Sequence, residues 1–135
     1  MEPSIPYAAG IIDGDGCIFC QFARSKRSMR ILVRLGSVHP DPPLWLQEKF
    51  GGTVTVRKLK GRRVQYVWAL MERDKVVAFL VAIRPYLIGK KVQARIALKL
   101  LEEEPISVNP ETLRLKSLLS VAKHREHKTP LRFQS

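Results

Sequence analysis

From Tyr7 to Ile12 nearly every position is apolar or small, and the chain then switches abruptly to Asp13-Gly14-Asp15-Gly16. Pro6 suits the first turn of a helix with Ser4 or Ile5 as its entry, and the glycines around Asp15 free the backbone to leave that helix sharply. The period then changes. Cys17 to Phe22 and Met29 to Val38 read as strands, with Ile31, Val33 and Leu35 alternating against Arg30, Arg34 and Gly36. Asp41-Pro42-Pro43 marks a second helix start with Asp41 as its cap, and Leu44 to Phe50 ends at Gly51-Gly52. Thr53 to Lys58 and Arg63 to Met71, rich in Val, Thr, Tyr and Trp, form another hairpin that turns through Lys60-Gly61-Arg62. Asp74 to Ile83 reads as a short helix broken by Arg84-Pro85, Tyr86 to Glu104 as a long one, and a last helix runs from Asn109-Pro110-Glu111 to near Lys123.

The order is therefore α-β-β-α-β-β-α followed by further helices, without internal repeat or low-complexity segment. Strand pairs separated by helices predict an α+β fold, an αββαββα core in which a four-stranded antiparallel sheet packs its apolar face on helices and leaves the other face free. Residues 1–135 suit one domain, and 45% hydrophobic residues suffice to fill its core.

Charge narrows the partners. Lys and Arg number 24 against 12 Asp and Glu, a formal net charge of +12, so the surrounding field attracts polyanions. Nucleic acid and anionic membrane are the two classes. No apolar run approaches the roughly 20 residues that span a bilayer, and Met1-Glu2-Pro3-Ser4 lacks a secretory pattern, so an intracellular protein is expected, in an organelle or in a bacterial or archaeal cytoplasm. The cations lie on strands and not on an amphipathic helix, which favours nucleic acid over a membrane. Arg24, Lys26, Arg27, Arg30 and Arg34 line the first hairpin, while Arg57, Lys58, Lys60, Arg62 and Arg63 crowd the second. Such a surface would neutralise phosphates along double-stranded DNA, and a two-stranded ribbon fits the major groove. With Ile31, Val33 and Leu35 facing the core, Arg30 and Arg34 point to the DNA together with Gln21, whose phase has to be judged separately. On the second hairpin Tyr66, Trp68 and Leu70 make the core face, which leaves Arg57, Arg63 and Gln65 to read bases.

Other chemistry-bearing residues are weaker signals. Cys17 and Cys20 have C-x-x-C spacing, but no second pair completes a zinc site and residues three apart on a strand point to opposite faces. His124 and His127 share a helical face inside a strongly charged segment that reads as a solvated helix end. Glu102-Glu103-Glu104 reads as an exposed terminus, Gln47 as surface, and Trp45 and Trp68 as core.

The nine residues Ala8-Ala9-Gly10-Ile11-Ile12-Asp13-Gly14-Asp15-Gly16 resemble the LAGLIDADG motif of homing endonucleases, with Ala8 replacing the leading leucine and Gly14 the second alanine. Together with the hairpin pattern and Pro85-Tyr86-Leu87-Ile88-Gly89-Lys90-Lys91, the resemblance spans roughly residues 5 to 104. It implies a site-specific, intron-encoded endonuclease that hydrolyses both strands of a palindromic or near-palindromic DNA site, with the concave sheet on the DNA and no small-molecule substrate. Asp15 is then the metal-binding carboxylate, the Gly14 carbonyl a further ligand, and Asp13 a helix cap. The implied cofactor is Mg²⁺, with Mn²⁺ or Ca²⁺ able to replace it for binding. Single-motif members of that family pair as homodimers, which puts Ala9 or Gly10, with Asp13 beside them, at a two-fold contact. Lys90 resembles the lysine that polarises water or stabilises developing charge, with Lys91 as the register alternative. His39 stands where similar sequences carry a polar residue that orients the water, and departs from the glutamine common there. The competing reading is an RNA maturase or a non-cleaving sequence-specific DNA-binding protein on the same fold; the presence of both Asp15 and Lys90 favours cleavage.

Overall fold

The computed structural model describes residues 4–58, 60–61 and 63–128, with side chains up to residue 122. Helix α1 (Ile5–Asp15) leads into strands β1 (Gly16–Phe22) and β2 (Ser28–Ser37), helix α2 (Asp41–Phe50), strands β3 (Thr53–Lys58) and β4 (Val64–Leu70), and helix α3 (Arg73–Ile83). A 3₁₀ turn (Arg84–Tyr86), α4 (Lys91–Leu100), β5 (Ile106–Ser107) and α5 (Pro110–Lys128) complete the chain. The sheet is antiparallel in the order β1-β2-β4-β3, with β5 pairing the start of β2.

One sheet face and the helices share a continuous core. Ile18, Ile31, Val33, Leu35, Trp68 and Leu70 pack from the strands against Ala8, Ala9 and Ile12 of α1, Leu46 of α2, Val76, Phe79, Leu80 and Ile83 of α3, and Ala94, Ala97 and Leu100 of α4. The alternation in β2 is as expected: Ile31, Val33 and Leu35 are buried while Arg30 and Arg34 are exposed on the opposite face. Tyr66, half-buried, shares the inner face with Trp68 and Leu70. A chain of edge-to-face and tilted rings, Tyr7–Trp45–Phe50–Phe79–Trp68, runs through the helical layer with centroids 4.9, 5.9, 4.9 and 5.4 Å apart. The fully buried Trp68 satisfies its only polar atom by donating Nε1–H to the carbonyl of Gly51 at 2.8 Å.

Three expectations change. Asp41 is the first residue of α2 and does not cap it; Pro40 occupies the cap position and no side chain bonds there. An acidic residue still suits that turn through the helix dipole. The long helix expected over Tyr86 to Glu104 is only α4, because Pro85 and the loop to Lys90 break it and the chain leaves the helix after Leu100. Strand β5 went unread, since two residues carry no alternation. Glu102, Glu103 and Glu104 are exposed as expected, and the Glu104 carboxylate lies 3.7 Å from the Arg73 guanidinium at the surface. The last helix begins as expected, with Asn109 and Thr112 exchanging backbone-to-side-chain hydrogen bonds of 2.9 and 3.0 Å.

Candidate active site and nucleic-acid interface

The acidic turn is built by contacts that hold both of its ends. Ser4 caps α1 at its start by accepting from the Tyr7 amide at 3.2 Å. At the other end, the Gly16 amide donates to Ile12 O and the chain passes directly into β1. Gly16 is needed there for close approach rather than for a left-handed turn: a Cβ would lie 2.8 Å from the Ile12 Cα, while its φ is an ordinary −85°. Asp15, the last residue of α1, is exposed, and among the described residues its carboxylate makes no hydrogen bond or ion pair. Gly14 beside it is exposed as well.

Asp13 does not cap its own helix. Its Oδ2 accepts from the amides of Ile88 at 2.7 Å and Gly89 at 3.2 Å, and its Oδ1 from that of Lys90 at 2.9 Å. The carboxylate thus serves the entry of α4, some 75 residues away, where amide groups need acceptors and the helix dipole favours a negative charge. Lys90 returns the contact, donating Nζ–H to the Asp13 carbonyl at 2.9 Å. It is buried, only 5% exposed, whereas Lys91 is exposed. A cation against the terminal carbonyls of α1 also suits that helix's dipole.

The small-residue face of α1 divides differently from expectation. Ala9 is fully buried in its own subunit's core and is not available to a partner. Asp13 spends its carboxylate on the α4 entry, within the same chain. Gly10 is exposed with no atom within 4 Å of an added Cβ, and the same is true of Gly14 one turn later. His39 is exposed in the turn between β2 and α2, its amide donating to Ser37 Oγ at 3.0 Å. Because Gly16 pairs with Leu35, the end of β2 and the acidic turn lie at the same end of the sheet. Among the described residues no group of three or more His, Cys, Asp or Glu side chains gathers to hold a metal ion. A metal ligand set at Asp15 would therefore have to draw donors from elsewhere.

The outer sheet face carries the polar side chains expected there. Cross-strand partners share a face, so the pairings Gln21↔Arg30, Cys17↔Arg34 and Arg57↔Gln65 put Gln21 on the outer side with Arg30, Arg34, Arg57 and Gln65. The phase of Gln21 was not readable from β1 itself, because apolar residues occupy both of its faces. Donor and acceptor matching assigns the Gln21 carboxamide with its oxygen toward the guanidinium, and in that orientation it accepts from Arg30 Nε and Nη2, both at 3.0 Å. The Arg34 guanidinium sits 5.1 Å from the centre of the Phe19 ring, a cation–π contact. Gln65 lies across Gly36, where a Cβ would come within 2.7 Å of its Nε2. Leu32 and Val67 form a low apolar floor between these polar side chains, 6% and 8% exposed. Arg24, Lys26 and Arg27 are exposed on the β1–β2 turn, Lys58 is exposed at the end of β3, and Lys60 and Arg63 are exposed on the β3–β4 turn. Arg62 lies outside the described residues, as do the side chains of His124 and His127. Cys17 and Cys20 are both free thiols; Cys20 Sγ contacts Met29 Sδ at 3.8 Å on the inner face, while Cys17 pairs with Arg34 on the outer one. No helix among the described residues is long and apolar enough to cross a membrane.

No protein-family model matches the sequence, and no curated protein does. Solved structures do. The chain superposes on the homing endonuclease I-CvuI, solved in complex with its target in the presence of 2 mM Ca, with a TM-score of 0.71 and 23% identity over 87% of this chain and 80% of that one. It is similarly close to the archaeal intron-encoded homing endonuclease I-Vdi141I complexed with DNA, with a TM-score of 0.67 and 16% identity, covering 97% of this chain and 88% of that one. The LAGLIDADG meganuclease I-AabMI bound to uncleaved DNA matches at a TM-score of 0.63 and 12% identity; 98% of this chain is covered but only 53% of that one, so the chain spans about half of that protein. With its acidic turn at the end of a small-residue helix and its cationic four-stranded sheet, the chain has the fold of the LAGLIDADG homing endonucleases.

Proposed function

We propose that the protein is a site-specific double-strand DNA endonuclease that works as a homodimer with divalent metal ions. The observation that carries this reading is Asp15, an unpartnered carboxylate at the end of α1, at one end of a sheet whose outer face holds Arg30, Arg34, Arg57 and Gln65. A DNA duplex lying on that face would bring a phosphate toward the acidic turn. The neighbouring folds support the reading, since they belong to endonucleases solved on DNA and in the presence of Ca or Mg.

One chain offers one carboxylate, and a hard cation such as Mg²⁺ is held by one or two carboxylates plus substrate phosphate and water. The donor set fits such an ion once a second copy contributes its own Asp15, with the Gly14 carbonyl as a further oxygen. The open strip formed by Gly10 and Gly14 lets two α1 helices approach closely enough to bring both carboxylates to one place. Ile88, 88% exposed and tied by its amide to Asp13, adds apolar surface beside that strip. Divalent ions at such a site supply charge neutralisation of the phosphate and lower the pKa of bound water. Within the chain, Lys90 stabilises the developing charge or polarises the attacking water from beside the acidic turn, and its contact with the Asp13 carbonyl keeps its ammonium there. His39, at the same end of the sheet, orients that water. The basic turns and strands bind phosphates, and the outer-face side chains read bases.

The test is Asp15→Asn, which removes one negative charge per subunit with little change of shape. Strand cleavage and metal binding should be lost while folding and sequence-specific DNA binding persist. A wild-type protein that binds a defined site with Mg²⁺ present and never cuts it, indistinguishable from Asp15→Asn, would establish a binding module instead.

A further inference from the structure

We propose that Gln21 and Arg30 act as one unit that selects a guanine, with Arg30 making the base contact and Gln21 as its positioning residue. This rests on the reading of the outer sheet face as a DNA surface. The two residues pair directly across β1 and β2, so their side chains rise from the same face. With the Gln21 carboxamide assigned by donor and acceptor matching, its oxygen toward the guanidinium, it accepts from Nε and Nη2 of Arg30 at 3.0 Å each, which occupies one edge of the planar guanidinium.

Two consequences follow from donor and acceptor counting. The other edge of Arg30, one N–H from each Nη, remains free and is held in a fixed plane, so the cost in side-chain freedom of making a bidentate contact falls. Two parallel donors match a base that offers two adjacent acceptors in the major groove. Guanine does so through O6 and N7, whereas adenine places a donor beside N7 and thymine offers a single acceptor and a methyl group. Gln21, for its part, is removed as an adenine reader. Bidentate recognition of adenine needs its carboxamide oxygen as an acceptor, and that oxygen already serves Arg30. Arg34 provides the contrast within the same face, since its guanidinium is set by the Phe19 ring and not by an amide.

The experiment is selection of bound duplexes from a random library by the full chain, as wild type and as Gln21→Leu, Gln21→Glu and Arg30→Ala. Arg30→Ala should erase a guanine preference at one position of each half-site. Gln21→Leu, which keeps the charge of Arg30 and the bulk of residue 21 but offers no acceptor, should weaken the same preference about tenfold, with unchanged thermal unfolding and unchanged salt dependence. Gln21→Glu restores an acceptor and should retain the guanine preference while binding all sequences more weakly. The double variant Gln21→Leu/Arg30→Ala should be no less selective than Arg30→Ala alone. A Gln21→Leu profile equal to wild type, or one altered at an adenine position instead, would overturn the proposal. Failure of the wild type to enrich any sequence would overturn the DNA-binding reading itself, and the pair with it.

Discussion

Asp13 and Lys90 hold each other in two directions at once: the carboxylate of Asp13 accepts the Lys90 amide at 2.9 Å, and the Lys90 ammonium donates to the Asp13 carbonyl at 2.9 Å. The end of α1 and the entry of α4 are thereby tied together, although they are far apart in sequence. The relationship ties the position of Lys90 to the geometry of the helix that carries Asp15.

Asp13→Ala should therefore loosen the entry of α4, although the Asp13 carbonyl remains in place to accept from the Lys90 ammonium. Three amides lose a charged acceptor, and the expected loss is about 2–3 kcal/mol of unfolding free energy. Asn at this position keeps one oxygen and should recover only part of that. Urea unfolding of the three proteins checks the order wild type, Asp13→Asn, Asp13→Ala, and an Asp13→Ala protein as stable as wild type would contradict the trans-capping role.

Gly10→Leu should separate subunit folding from association. Nothing lies within 4 Å of an added Cβ, and replacing a helical glycine stabilises a helix by about 0.5–1 kcal/mol, so the subunit should unfold no more easily than wild type. The dimer should dissociate, because the α1 helices could no longer approach. Sedimentation would show the monomer mass for the variant and twice that mass for wild type; a variant that remains dimeric would place the interface elsewhere.

Trp68→Ala should be among the most damaging single changes in the sheet. The indole is fully buried, packs at a tilt against Phe79 and donates to Gly51 O, so its loss opens a large cavity and orphans a carbonyl at the end of α2. A drop of about 3–5 kcal/mol is expected, read by chemical denaturation. Trp68→Phe, which retains much of the volume, should cost less.

Burial pushes the Cys20 thiol up from its usual value, with Lys116 pulling weakly in the opposite direction. The folded chain then keeps a proton that the unfolded chain gives up. The corresponding stability is fully present below the ordinary thiol range and is lost as pH rises through the folded-state value. Wild type should lose more stability than Cys20→Val between about pH 8 and about pH 10, where Tyr and Lys ionisation affects both proteins alike. Equal losses would show that Cys20 does not ionise differently on folding.

Local patterning determined a good deal of this molecule. The small-residue stretch ending in Asp15, the alternation of Ile31, Val33 and Leu35 against Arg30 and Arg34, and Gly51-Gly52 closing α2 with φ of 86° and 92° were legible because each depends on residues within a few positions of one another. Periodicity states which face of an element is apolar and where its backbone must turn. It does not state what that face meets. Ala9 and Gly10 look alike as small helical residues, and only the packing of α1 on the core buries the first and leaves the second open. Gln21 has apolar neighbours on both faces of β1, so its orientation follows from the register with Arg30, set by the hairpin as a whole. Tertiary contacts alone gave Asp13 its partners at the entry of α4 and recruited the two residues of β5 to the edge of β2. A backbone amide without a neighbour in its own element takes whichever acceptor the fold brings to it, and one-dimensional spacing holds no record of that choice.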